Sequence, residues 1–159
     1  MDSKVIIEMA SAGAILLGLI FVGLELKQNT EAVESQTSQG LLELANQANS
    51  QVASDRQLAE ILLKVNKDVD ELNELETLQY SRFVYSEMNI WEHAFFSHEN
   101  GTMNSDLWNG YDMAYRGFFC ESWSKGVWRL IEGGFSEPFK AHVNEITPED
   151  CSNANASSN

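Results

Sequence analysis

A run of sixteen uncharged residues near the N-terminus, MASAGAILLGLIFVGL at residues 9–24, constrains the fold of this 159-residue chain more than any other feature. As a helix the run is about 24 Å long, and extension to residues 5–26 brings it to about 33 Å, enough to cross the roughly 30 Å hydrocarbon core of a bilayer. Glu8 and Glu25 then lie near the two headgroup regions, where a carboxylate is tolerated. The sequence therefore predicts an integral, single-pass transmembrane helix over residues 5–26.

Two alternative interpretations of this run are a signal peptide and a buried core helix. The run is followed by GLELKQNT, which contains no small-x-small cleavage site, and this argues against removal of a signal peptide. A core helix of a soluble domain normally has one polar face, and this run has none. The membrane interpretation accounts for both observations.

Small residues recur along one face of the predicted membrane helix. Ala10, Ala14 and Gly18 are spaced four apart, and small residues at that spacing let two helices approach closely in a bilayer. The same residues are also simply common in membrane helices. This face is therefore a candidate surface for helix association, with a second copy of the chain or with a protein partner.

The rest of the chain predicts an all-α domain. No proline occurs between Leu26 and Pro138, and apolar residues recur at steps of three and four. The pattern predicts a membrane anchor over 1–26 that continues as one long helix, a helical soluble domain over 27–146, and a disordered tail over 147–159, which has little to bury. A second helix is predicted after a cap at Ser54 or Asp55, and a third over about 75–100 with Gly101 as the stop. A fourth helix opens at Ser105, a fifth ends at Gly133 and Gly134, and a last one opens at Ser136 with Pro138 in its first turn.

Charge and cysteine content exclude some classes of function. Ten basic and 24 acidic residues give a formal net charge of −14, with no cluster of Lys or Arg, so nucleic-acid binding and electrostatic attachment to anionic lipid are disfavoured. The two cysteines, Cys120 and Cys151, form no CxxC motif. We expect Cys120 to be a free buried residue and Cys151 to be incidental in the polar tail.

The stretch IWEHAFFSHENG, residues 90–101, has the residue types of a metal or catalytic site. On a helix His93 and His98 lie about 140° apart around the axis, and Glu92 and Glu99 lie about 10.5 Å apart along it, so neither pair shares an ion. The spacing also lacks the Glu-x-x-His and HExxH patterns. We therefore expect Trp91 and its aromatic neighbours to be core and the histidines to lie near solvent.

Sites assembled from several helices stay open at this stage. Asp112, Glu121 and His142 are residue types that such a site would use. The chain contains no GxSxG motif and no glycine-rich phosphate loop, so the sequence predicts no catalytic residue, metal ligand or cofactor site. Aromatic residues form either the core of a bundle or an apolar ligand pocket, and the residues singled out for this pocket or core are Trp91, Glu92, Trp108 and Tyr111.

Four segments in order carry a resemblance: LIFVGLELKQNT (19–30), SDRQLAEILL (54–63), WEHAFFSHENGTM (91–103) with Trp108 behind it, and FSEPFKAHVNEI (135–146). Together they resemble a widespread bacterial family of small membrane-anchored helical proteins that has no assigned activity. The resemblance implies an inner-membrane protein. Members of the family typically carry basic residues just after the membrane helix and few before it, which implies a cytoplasmic soluble domain. In this chain Lys27 keeps that position, whereas Lys4, before the helix, opposes the inference.

These observations lead to two functional hypotheses. The first is a membrane-anchored binding or interaction module that needs no catalytic group. The second is a membrane-bound small-ligand sensor or enzyme with a site in the aromatic interior of the bundle, around Trp91, Glu92, Trp108 and Tyr111. A pocket into which Glu92 points favours the second hypothesis, and a filled core with a solvated Glu92 favours the first.

Overall fold

The computed structural model describes residues 3–120 and 122–151, and within these ranges the side chains of residues 5–10, 69 and 122–125 lie outside the description. Helices joined by short turns and irregular segments make up the described backbone, which contains no strand, so the all-α prediction is confirmed. The helices are α1 (Ser3–Ser54), α2 (Arg56–Val65), α3 (Glu74–Glu99), α4 (Ser105–Cys120), α5 (Ser122–Ile131) and α6 (Glu137–Asn144), with short 3₁₀ turns at Val69–Glu71 and Glu132–Gly134.

The chain divides into two compact units, residues 1–36 and residues 37–159. In the first unit, the large apolar side chains from Ile15 to Leu26 are 51–70% exposed. The described part of α1 is long and apolar enough to cross a membrane, and none of its most apolar stretch is buried inside the protein. The chain therefore carries a long, apolar N-terminal helix that is compatible with a membrane anchor.

Side-chain caps set the ends of the helices in the second unit. Asp55 accepts hydrogen bonds from the backbone N–H groups of Gln57 and Leu58 at the start of α2. Asn73 and Glu76 form a reciprocal capping box at the start of α3, and Gly101 adopts a φ of +68° just after its end. These caps confirm the predicted positions of the turns because a helix boundary depends on local chemistry.

The core of the second unit lies around α3, which packs against helices that precede it and helices that follow it. Val84, Met88, Trp91 and Phe95 follow one another along α3 at steps of three and four, and all four side chains are buried. Leu41 of α1, Ile61 and Val65 of α2, and Phe139 and Val143 of α6 pack into the same core. The periodicity of apolar residues therefore identified the buried face of α3 correctly.

Two neighbouring stripes of α4 carry large apolar side chains. Along one of them, Ala114 is exposed and Leu107, Tyr111 and Phe118 are only partly buried. The fully buried side chains of α4 are instead Trp108 and Phe119. The two large rings occupy a neighbouring stripe, because filling a core favours the side chains with the most apolar area.

The prediction of two unpaired cysteines was wrong. Cys120 at the end of α4 forms a disulfide bond with Cys151, 31 residues later in the sequence. Residues 148–151, which belong to the tail predicted to be disordered, are helical. Thr147 and Asp150 cap this turn reciprocally, and the hydrogen bonds from Thr147 lower the pKa of the Asp150 carboxyl. The T-x-x-D spacing was a local signal for this cap, while residues 152–159 lie outside the described part of the chain.

Candidate functional site

The four residues predicted to line a pocket or a core lie in three different places. Trp91 and Trp108 are buried in the aromatic core. Glu92 lines a surface cleft, and Tyr111 lines a separate groove. The structure therefore brings Trp91 and Trp108 into one cluster and does not bring all four residues to one pocket.

Ring contacts fill the aromatic interior around Trp91. Its indole stacks on Tyr115 with centroids 5.7 Å apart and meets Phe139 edge-on at 5.4 Å and His142 edge-on at 5.6 Å. Trp91 and Phe139 are both 0% exposed. Such ring pairs each contribute about 0.5–1.5 kcal/mol beyond the burial of their area. The interior at Trp91 is thus packed side chain rather than ligand space.

A polar cluster lies against this aromatic core, centred on the carboxylate of Asp112. Arg116 donates from Nε to Oδ2 at 2.6 Å, and Trp91 donates from Nε1 to Oδ1 at 3.1 Å. His142 Nε2 lies 2.7 Å from Oδ1, and because a carboxylate only accepts, Nε2 carries the proton and donates. The side chains of Asp112 and His142 are both 16% exposed. Three elements, α3, α4 and α6, are therefore joined at one carboxylate.

The hydrogen bonds of this cluster determine the protonation of Asp112. Burial by itself raises the pKa of Asp112, but the hydrogen bonds from His142 and Arg116 outweigh burial, and the net pKa is lowered. The cluster holds an acid, an imidazole and a guanidinium but contains no hydroxyl or thiol nucleophile. Its geometry joins helices and orients the His142 ring, which also contacts Phe95 and Trp108.

A cleft of about 850 Å³ lies between α1 and α3 within the second unit, and we call it the polar cleft. Its volume falls in the range of ligand-binding sites. More than half of the side chains that line it both donate and accept hydrogen bonds, and apolar atoms make up the larger part of the wall between them. The residues that line the polar cleft include Gln51, Ser86, Asn89, Glu92, Phe96 and Ser136.

Glu92 holds the start of α6 at the wall of the polar cleft. Its Oε1 accepts a hydrogen bond of 2.8 Å from the backbone N–H of Ser136. Ser136 is the N-cap of α6 but makes no side-chain cap hydrogen bond, and its Oγ is buried without a partner among the described residues. The carboxylate also places negative charge near the positive end of the helix dipole. Glu92 is therefore partly buried and hydrogen-bonded. This position lies between the two arrangements considered from the sequence, a Glu92 that points into a pocket and a solvated Glu92.

The histidines of the 90–101 stretch differ in environment. His93 is exposed, as predicted, but His98 is half-buried and stacks on Trp108 with centroids 5.2 Å apart. The expectation that His98 lies near solvent was wrong, because the Trp108 ring from α4 covers it. Within residues 3–120 and 122–151, no three His, Cys, Asp or Glu side chains come together as a metal site. Glu121, considered for such a site from the sequence, lies outside the described residues.

A second recess of about 450 Å³ lies between α1, α3 and α4 in the second unit, and we call it the tyrosine groove. Tyr111 and Tyr115 line it together with Glu87 and Asp106. The Tyr115 hydroxyl donates to Glu87 Oε2 at 3.2 Å. Burial raises the pKa of the Glu87 carboxyl despite this hydrogen bond, and burial together with the nearby Glu87 charge raises the pKa of Tyr115 strongly. The groove thus holds a carboxylate in a partly desolvated aromatic setting.

The role of the small-residue face of α1 in helix association stays a prediction. Ala14 is exposed, and a side chain added at Gly18 would meet nothing within 4 Å. The side chain of Ala10 lies outside the described residues. At Ala14 and Gly18, the described part of this face, no other described residue covers the helix.

Sequence reasoning named Asp112 and His142 but missed their partner Arg116 and the Glu87–Tyr115 pair. The i,i+4 spacing of Asp112 and Arg116 was a signal that could have identified the first ion pair. Glu87 and Tyr115 are 28 residues apart on two helices, and no local pattern indicates that they meet. Comparisons of the chain with models of known protein families, with curated proteins and with solved structures each find no match.

Proposed function

We propose that this chain is a single-pass membrane protein whose helical domain is a binding module. The observation that supports the anchor is the row of apolar side chains from Ile15 to Leu26, which are exposed in the part of the chain that the structure describes. Exposing that row to water would be costly at about 25 cal/mol per Å². A bilayer covers it without a partner protein. The bacterial inner membrane, which the family resemblance implies, is the proposed location.

The anchor is tested on the full chain expressed in its membranes. Extraction with alkaline carbonate is expected to leave the protein in the membrane pellet, whereas removal of residues 1–26 is expected to release it to the soluble fraction. Recovery of the full chain in the carbonate supernatant, or a truncated and folded protein that still pellets with membranes, would contradict the anchor.

The polar cleft supports the binding role. Its volume is that of a recognition site, and more than half of the side chains that line it both donate and accept hydrogen bonds. Gln51 and Asn89 present exposed amides that match the donors and acceptors of a peptide backbone. The acidic net charge disfavours nucleic acid. We therefore assign the cleft to a polypeptide segment of a partner protein.

Site-specific photo-crosslinking tests this assignment in native membranes. A photoreactive residue at Gln51 in the cleft is expected to give a discrete adduct, and the same residue at exposed Lys67 is expected to give none. The substitution Ser86→Trp, which adds bulk to the cleft wall, is expected to abolish the adduct, whereas Leu78→Trp, an exposed position of the same helix outside the cleft, is expected to keep it. An adduct that survives Ser86→Trp would place the contact elsewhere and overturn the assignment.

The disulfide bond supports a location of the helical domain on one particular side of the membrane. Cysteines stay reduced in most cytoplasms, and disulfides persist in oxidising compartments such as the periplasm. The Cys120–Cys151 bond therefore favours the oxidising side, in contrast to the cytoplasmic side that the resemblance implies. We adopt the oxidising side in the proposal.

The side is tested by trapping thiols in intact cells with acid and labelling the denatured full chain with a maleimide of high mass. Wild-type protein is expected to shift in mass only after reduction, and Cys120→Ser is expected to shift without reduction because Cys151 is then free. Labelling of the untreated wild-type protein at both cysteines would instead support a cytoplasmic domain.

A further inference from the structure

The tyrosine groove has a chemical character that the polar cleft lacks. Two carboxylates, Glu87 and Asp106, line it, and no basic side chain does so among the described residues. Apart from the amide of Asn49, the remaining wall is aromatic or apolar, and it includes Gly110 and Ala114. A site of about 450 Å³ with negative charge at an apolar, aromatic wall is complementary to a positive charge on an apolar body.

The tyrosines are positioned by the core rather than by the groove. Trp91, Tyr115 and Tyr111 form a stack, with centroids 5.7 Å apart in the first pair and 6.4 Å in the second. Trp91 is fully buried and Tyr111, the last ring of the stack, is half-buried at the groove. A ring held in this way loses little freedom when it contacts a cation, and the faces of aromatic rings attract cations.

The Glu87 carboxylate is held in the groove at an energetic cost. The Tyr115 hydroxyl donates to its Oε2, and burial penalises its negative charge. No Lys or Arg side chain lines the groove to compensate that charge among the described residues. A cation beside Glu87 would offset the penalty.

We propose that the tyrosine groove binds a small organic cation, an ammonium group carried on an apolar body. The ammonium group pairs with Glu87 and Asp106, and the apolar body lies against Tyr111 and the small residues of α4. A hydrated metal ion is a poorer match because most of the wall is apolar, and an anion is repelled. This site is separate from the polar cleft and does not depend on the binding role proposed for it.

Binding is tested by titration calorimetry on the full chain in nanodiscs of zwitterionic lipid, with empty nanodiscs as the blank. The probe is benzyltrimethylammonium, and benzyl alcohol and benzoate are the neutral and anionic comparisons. Saturable one-site binding of the cation, with no saturable binding of the other two, is the expected result. Heats equal to those of the empty nanodiscs, or equal binding of benzyl alcohol, would overturn the proposal.

Substitutions locate the site. Glu87→Gln removes the charge but keeps an acceptor for Tyr115, and it is expected to weaken binding about tenfold, with a loss of several-fold for Asp106→Asn and Tyr111→Leu. Glu99→Gln removes an exposed carboxylate of the same helix outside the groove and is the matched control. If Glu99→Gln weakens binding as much as Glu87→Gln, the cation responds only to the net charge and the proposal fails. Asp106 is exposed, so Asp106→Asn still tests the site if a variant at a more buried position unfolds.

Discussion

The N-terminal part of α1 and the core of the helical domain are both rich in large apolar residues, yet their environments are opposite. From Ile15 to Leu26 these side chains are all exposed, whereas Trp91 and Phe139 are completely buried. The core is specified by ring contacts and by a polar cluster that joins three helices. The first region is compatible with a membrane anchor, and the comparison shows that apolar content alone does not indicate what covers a segment.

The largest expected effect is a difference in the free energy of unfolding between two alanine substitutions, one in each region. Trp91→Ala should lower the free energy of unfolding of the helical domain by about 3–5 kcal/mol, because it leaves a cavity and removes a donor to Asp112. Leu17→Ala, at a side chain that is 70% exposed, should leave that free energy unchanged. Denaturant unfolding of the full chain in mild detergent, followed by tryptophan fluorescence, measures both. Equal effects of the two variants would break the comparison.

Loss of the disulfide bond should have the next largest effect. The bond closes a loop with a sequence separation of 31 residues, so the double variant Cys120→Ser, Cys151→Ser should lose about 3–4 kcal/mol of stability in a chain-entropy account. Resistance to carbonate extraction should be unchanged, since the anchor is far from both cysteines in sequence. Thermal unfolding with and without reductant gives the measurement, and a wild-type melting curve that is insensitive to reductant would contradict the prediction.

The Asp112 cluster should make the helical domain, but not the anchor, sensitive to acid. The folded-state pKa of Asp112 lies below its ordinary value of 3.8, so its contribution is present above about pH 4 and is lost as the pH falls through the folded-state pKa. Asp112→Asn should lower stability at neutral pH by about 2 kcal/mol, because charge-assisted hydrogen bonds are lost. It should also flatten the dependence of stability on pH below about pH 4.

Unfolding by denaturant at a series of pH values, with Asp106→Asn as the exposed matched control, checks this expectation. An unchanged acid profile in Asp112→Asn would show that the cluster does not stabilise the domain. Membrane retention at the same pH values should be constant for both variants.

The smallest effect concerns Glu92. Glu92→Gln should lower stability by about 1 kcal/mol, because it replaces a charge-assisted hydrogen bond to the Ser136 N–H with a neutral one. Glu99→Gln, at an exposed position of the same helix, should change stability by less than about 0.5 kcal/mol. Hydrogen exchange at the start of α6 localises the effect. Equal protection of α6 in both variants would show that Glu92 does not hold this helix.

Patterns within a few residues predicted much of the helical domain. The apolar stripe of α3, the Asp55 cap and the stop at Gly101 follow from periodicity and capping, both of which are local. The inward face of α4 was less predictable, since two adjacent stripes carry aromatic rings and the choice between them depends on which ring fills the space beside Trp91. Similarly, the burial of His98 depends on a ring from another helix.

The sequence by itself determined the helical class, the helix boundaries and the apolar N-terminal segment, because hydrogen bonds between near neighbours and the periodicity of apolar residues decide these features. Only the tertiary structure brought His142 to Asp112 and Tyr115 to Glu87 and joined Cys120 to Cys151. Each of these pairs is separated by 28 to 31 residues. Contacts over such separations depend on how whole helices pack, since packing selects which faces meet and no local pattern encodes the partner.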